Sequence, residues 1–180
     1  MDLDNEWYSL CSKNDVELLH LDNTNDFKIT FEVLENFDNI CEIIQERELF
    51  ELIFELNRDV LTNYSEIEIN NVNKVTFNIT SKGLPSFNTF SEAVIYLSYS
   101  IKYNKLDDCI NLYSHSVNKP GNADNNHIYL VNFGFQVNKQ SDSSLVTINY
   151  TLDDNINNVS NKFVSLHLKN IFYKVKKYFD

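Results

Sequence analysis

Side chains able to do chemistry are present in this chain, but seldom at spacings that chemistry uses. Cys109 stands six residues before His115, a pair that could in principle supply a thiolate and its base. Such partners are usually brought together by the fold rather than by nearness in sequence. Asp107-Asp108 and Asp153-Asp154 are paired carboxylates suited to acid/base work and equally suited to a turn or a helix cap. The histidines, His20, His115, His127 and His167, are scattered, with no acid or cysteine at metal-ligand spacing; His115 and His127 flank one loop and could converge. Gly83, Gly121 and Gly134 are the only glycines, so neither GxGxxG nor GxxxxGK can be built and nothing is set up to cradle phosphate. No metal, no cofactor and no enzymatic activity are therefore expected. An enzyme would need a site assembled from dispersed residues such as His115, His127, Asp107 and Asp153.

Carboxylates depart from this scatter by their concentration. Through residue 60 there are sixteen acids against four bases, while the remaining 120 residues carry ten acids against eleven bases. The formal charge of −11 thus comes from one end of the chain. Part of it falls at helical spacing: Glu48, Glu51, Glu55 and Asp59 stack three and four residues apart, preceded by Glu42 and Glu46. Such a field steers partners of opposite charge, so these six acids are the expected partner-binding surface. At the other end, Lys169, Lys174, Lys176 and Lys177 interleave with aromatics, a pattern also seen in nucleic-acid binders. A sequence pI near 4.7 opposes phosphate contact, and no direct nucleic-acid binding is expected.

Periodicity supplies the elements that would hold these groups. Residues around Asn5 to Cys11 suggest a short helix. Val16 to Leu21 and Phe27 to Leu34 alternate as strands across the turn-forming Asp22-Asn-Thr-Asn-Asp26. Asp38 to about Asn63 is helical with a phase slip, since the face of Ile40, Ile43 and Ile44 would rotate into Glu48, Glu51 and Glu55; a break near Glu46 to Arg47 resolves it. Glu66 to Asn70 and Lys74 to Thr80 form a hairpin, and Thr89-Phe-Ser-Glu92 matches a capping box that opens a helix to about Asn104. Leu106 to Val117 fits helix and strand equally, and Asn118 to Asn126 is a loop. Strands over Ile128 to Val137 and Leu145 to Leu152 and a helix over Val159 to Phe179 complete the chain. The order predicts an α+β fold, an antiparallel or mixed sheet of about five or six strands with about three or four helices packed on it, in one domain over residues 1–180.

At 43% hydrophobic residues, with thirteen Phe and ten Tyr, the chain can bury a sizeable core. Three widely spaced cysteines argue against a disulfide framework and for reduced thiols. The acidic start MDLDNEWY lacks the basic-then-apolar order of a signal peptide, and no segment approaches the ~20 apolar residues of a membrane span. A cytoplasmic protein is expected. Abundant Asn with scarce Gly, Pro and Arg has the look of an AT-rich coding sequence, so the four Asn-X-Ser/Thr sequons need no functional reason.

Acidic, compact and without catalytic equipment, the chain resembles the immunity proteins of bacterial toxin systems, including those of contact-dependent growth inhibition. The residues behind the likeness are Glu42, Glu46, Glu48, Glu51, Glu55 and Asp59, with the acids of the first strands; no family motif supports it. The resemblance implies a protein that binds one cognate toxin domain, often a basic nuclease, with carboxylates pairing with the toxin's Lys and Arg. The same surface fits a phage-type inhibitor that mimics DNA and occupies a host nucleic-acid enzyme.

Overall fold

Alternating apolar and polar residues put more than half of the described residues into one sheet. The computed structural model describes residues 6–69, 72–80, 92–104, 107–114, 127–153 and 158–180. Strands β1 (Trp7–Lys13) and β2 (Val16–Leu21) form a hairpin whose turn residues, Asn14 and Asp15, both have φ near 57°. That left-handed pair matches the twist of the flanking strands, and Asn and Asp adopt it at low cost. Strand β3 (Asp26–Val33) follows, then helices α1 (Phe37–Gln45) and α2 (Leu49–Leu56). Strands β4 (Leu61–Ile69), β5 (Val72–Thr80), β6 (Glu92–Asn104), β7 (Cys109–Ser114), β8 (His127–Lys139) and β9 (Ser144–Leu152) lead to α3 (Asn158–Phe179).

The strands run in the order β1-β2-β3-β9-β8-β7-β6-β5-β4. Neighbours are antiparallel throughout. β7 is short, so β6 reaches past it and pairs in parallel with β8 over Val94–Tyr96 and His127–Tyr129. The α+β class expected from sequence is what folds, with nine strands and three helices among the described residues.

Two segments differ from their sequence patterns. Trp7–Lys13 is a strand rather than a short helix; a register shift between Ser9 and Cys11 interrupts its alternation and hides the period of two. Glu92–Asn104 is also a strand, held on both sides by β5 and β7, because a strand flanked by two neighbours satisfies every backbone group that a helix would have satisfied internally. The capping-box residues 89–91 lie outside the described residues, as does the expected loop 118–126. Of residues 106–117, Cys109–Ser114 is strand. The expected break between the helices is real. Arg47 takes φ 67°, its N–H bonds Ile44 O, and Glu48 N–H bonds Ile43 O, a Schellman closure that ends α1 and resets the apolar face for α2.

The core lies between one face of the sheet and the helices. Phe27, Ile29 and Phe31 of β3 meet Val146 and Ile148 of β9 on that face, and α3 covers them with Leu168, Ile171 and Val175. Helix α3 packs on β2, β3 and α2. Lys169 is carried into this contact, 3% exposed, and its Nζ donates to the Lys13 carbonyl at 3.2 Å.

Candidate ligand-binding site

Where α2 and α3 meet the inner face of the sheet, the side chains do not close completely. A cavity of about 40 Å³ remains, walled by Phe50 and Ile53 of α2, Leu168, Ile171 and Phe172 of α3, and Leu61, Leu97, Leu130, Phe133 and Tyr150 from four strands. No charged residue lines it. The reason is geometric: β4, β6, β8 and β9 each point their inward, apolar positions at the same space, and aromatic rings tilted rather than stacked leave gaps. Phe50 lies 4.9 Å from Tyr99 and 6.0 Å from Phe133 between ring centroids, at 46° and 48°. A void with such walls repels water and accepts an apolar guest.

Polar groups sit behind this apolar lining. Tyr150 is fully buried, and burial pushes its phenol well above the ordinary range. Its hydroxyl neighbours Ser165 on α3, yet neither makes a bond of hydrogen-bond geometry among the described residues. Asn57, wholly buried at the end of α2, donates to the Ile53 carbonyl at 2.8 Å and reaches the Ile171 carbonyl at 3.4 Å, while its Oδ1 has no partner among the described residues. It therefore ties α2 to α3 beside the cavity. On the other flank, Glu66 accepts hydrogen bonds from both Tyr64 and Tyr99, a carboxylate bridging β4 and β6. Desolvation first, then the Glu66 bond, raises the Tyr64 phenol, so Tyr64 stays a protonated donor.

The acids expected to bind a partner are exposed: Glu42, Glu46, Glu48, Glu51, Glu55 and Asp59 all face solvent. They do not form one unbroken row, because the turn at Arg47 separates α1 from α2. Glu55 bonds Arg58, and Asp59 bonds Lys174 of α3 at 2.5 Å, so part of the acidic end is balanced by the lysines of the last helix.

Two members of the dispersed enzyme site, Asp107 and Asp153, are not brought together. Asp107 adjoins β7 where Cys109 pairs with Asn138, whereas Asp153 follows Leu152, which pairs with Leu130 eight residues along β8. At the rise of a strand that separates them by about 26 Å. His115 lies outside the described residues. Cys109 is buried and accepts from the amides of Asn111 and Gln136, at 3.4 and 3.3 Å. Among the described residues no group of three or more His, Cys, Asp or Glu could hold a metal ion. His20 is a core histidine, stacked on Phe27 and bonded through Nε2 to the Thr24 carbonyl at 2.8 Å. A carbonyl only accepts, so Nε2 carries the proton and Nδ1 takes the Tyr8 hydroxyl.

A long helix packs on one face of a nine-stranded sheet with an apolar cavity between them, and solved structures share this α+β arrangement. The chain superposes on the human StarD13 (DLC2) lipid transfer and protein localization domain with TM-score 0.70 at 12% identity, covering 98% of this chain and 90% of that one. Human StAR-related lipid transfer protein 5 gives 0.68 at 11% identity, covering 99% and 88%. A STAR-related lipid transfer protein from Xanthomonas axonopodis gives 0.65 at 7% identity, covering 96% and 98%. No protein-family model matches the sequence, and no curated protein matches it.

This fold overturns the likeness to toxin-immunity proteins, which rested on size and charge alone. The expected partner, a basic toxin nuclease, falls with it, and neither the DNA mimic nor the dispersed enzyme finds support in this fold. Surface charge is free to vary on any fold, whereas topology and interior walls are not. The residues missed by sequence reasoning are the cavity walls. Each is a Leu, Ile, Phe or Tyr at an ordinary core position, so no local signal separated them from packing.

Proposed function

We infer that this protein binds an apolar, lipid-like small molecule between α3 and the inner face of the sheet, and carries it rather than transforming it. The observation behind this reading is the cavity itself, wholly without charged walls, in a fold shared with lipid transfer domains. At about 40 Å³ the void is a nucleus for binding rather than a finished pocket, since sites for small ligands run to roughly 300–1,000 Å³. Loading thus requires α3 to move outward from β8 and β9, with Asn57 as the tether to α2. A binding role also suits the scattered titratable groups. Two fully reduced, buried thiols, Cys41 and Cys109, favour a cytoplasmic setting. Among the described residues no helix is long and apolar enough to cross a membrane.

The test is transfer. Delipidated protein is mixed with donor vesicles of phosphatidylcholine carrying, in separate runs, a fluorescent fatty acid, a fluorescent sterol or a fluorescent phospholipid, and with unlabelled acceptor vesicles. Saturable one-to-one uptake of one of these, with accelerated movement to acceptors, supports the reading. No uptake of any of them by folded protein overturns it.

A further inference from the structure

The outer face of the same sheet carries a second concavity that the lipid reading does not use. A groove of about 370 Å³ runs across the strands from Trp7 on β1 to Tyr113 on β7. Register fixes its two rows. One is Tyr113, Gly134, Asn149 and Lys28, each opposite the next; the other is Asn132, Thr151 and Asp26, continued by Leu21 and Trp7. Because side chains alternate along a strand, all of these point away from the core.

We propose that this groove is a binding site for a neutral oligosaccharide. Its two ends are aromatic and accessible, Trp7 being 39% and Tyr113 41% exposed. A sugar ring offers such rings a flat face of C–H groups. Between them the floor sets polar groups among the apolar Leu21, Phe27, Phe133 and Tyr150: Asp26 accepts from the Thr151 hydroxyl, and the Asn132 amide reaches Thr151 Oγ1 at 3.3 Å. The Asn149 side chain is exposed and makes no hydrogen bond among the described residues. Amides and hydroxyls each donate and accept, which is what neighbouring sugar hydroxyls require. Lys28, at the end of one row, stands over the Trp7 ring at 4.2 Å from its centroid and steadies the indole, and with Asp26 in the other row it leaves the groove without a net charge to select an anion.

Two further observations favour a sugar over a peptide. Except at the outer edge of β1, the groove crosses strands paired on both sides, so main chain cannot add along its floor and recognition there must come from side chains. The length also fits, since six adjacent strands span about 24 Å at their normal separation. Gly134, opposite Tyr113 near one end of the floor, has nothing within 4 Å of where a Cβ would stand, leaving room for a sugar ring beside that aromatic.

Trp7 is the only tryptophan in the chain, which makes its emission a reporter of this groove. The experiment titrates cello-, malto-, xylo-, manno- and chitotetraose into the folded protein and follows that emission. At least one is expected to give a saturable shift, which Gly134→Phe abolishes without lowering the melting temperature and Asn149→Ala weakens several-fold. Phe133 and Tyr150 border both spaces, yet the groove's polar side chains point away from the core, so prior saturation of the interior with a fatty acid should leave the sugar affinity unchanged. The proposal is overturned by no saturable shift up to about 10 mM, a Kd near the weak limit of specific binding. It is equally overturned if Gly134→Phe, or Asn149→Ala should the former not fold, binds like the wild type, or if fatty acid competes.

Discussion

Filling the interior cavity should separate stability from binding. Leu168 lies on α3, is nearly buried and faces the void, so Leu168→Phe places added carbon where there is now nothing. An empty cavity costs about 24 cal/mol per Å³, and 40 Å³ therefore carries about 1 kcal/mol. Unfolding entropy near the midpoint is about 2.1 cal/mol/K per residue, or about 0.38 kcal/mol/K for 180 residues, which converts that gain to about 3 °C in Tm. Overpacking acts with the opposite sign and costs about 1–3 kcal/mol. Circular dichroism melts of the delipidated protein give the sign directly, and titration with cis-parinaric acid reports whether the interior still loads. The expected result is a Tm raised by up to about 3 °C together with loss of binding. A Tm lowered by that amount would show that the void does not exist in solution, and unchanged parinaric acid binding would show that the ligand does not enter beside Leu168.

Three other perturbations test groups elsewhere in the fold. Glu66→Gln replaces the charged acceptor of the Tyr64 and Tyr99 hydroxyls and should cost about 2 kcal/mol in urea unfolding, because bonds to charged groups contribute about 1.5–3 each; a change below about 0.5 would mean the bridge is absent in solution. Burial lowers the His167 pKa, so between that folded value and the unfolded 6.5 the unfolded chain holds more protons. Stability from this group is full above 6.5 and is lost as pH falls through the folded pKa, and His167→Gln should flatten the slope of unfolding free energy against pH in that window. An identical slope in the variant would remove His167 from the account. Burial, aided by Asp38, pushes the Cys41 thiol up to about 12, which leaves roughly one thiolate in ten thousand at pH 8. Half-buried Cys11 should therefore react first with a disulfide reagent, Cys41 and Cys109 only on unfolding; rapid modification of two thiols in native protein would contradict this.

The parts of the fold legible in sequence are those where one local rule acts alone. Val16–Leu21 and Phe27–Val33 alternate cleanly because one face is core and the other water, and the break at Glu46–Arg47 was readable because a single straight helix would have buried three glutamates. Legibility fails where an irregularity resets the period. In β1 the shift between Ser9 and Cys11 does this. In β6, Val94, Ile95, Tyr96 and Leu97 are apolar in succession, and such a run reads as helix or strand alike until its partners are known.

The site was less legible than the fold for a different reason. Charge is conspicuous in sequence because acids are distinct letters, and here they led toward a partner surface. A cavity is a missing volume among residues that look like any core, and it is made by how Phe50, Leu97, Leu130 and Phe172 from four separate elements fail to interdigitate. No window of sequence contains that failure. The groove on the opposite face is similar, since Trp7 and Tyr113 are more than a hundred positions apart and become neighbours of one floor only through the strand order that sets β9 between β3 and β8. In both cases the proposed site is assembled by the long-range pairing of strands, which is why the local patterns could specify the α+β class and not the site.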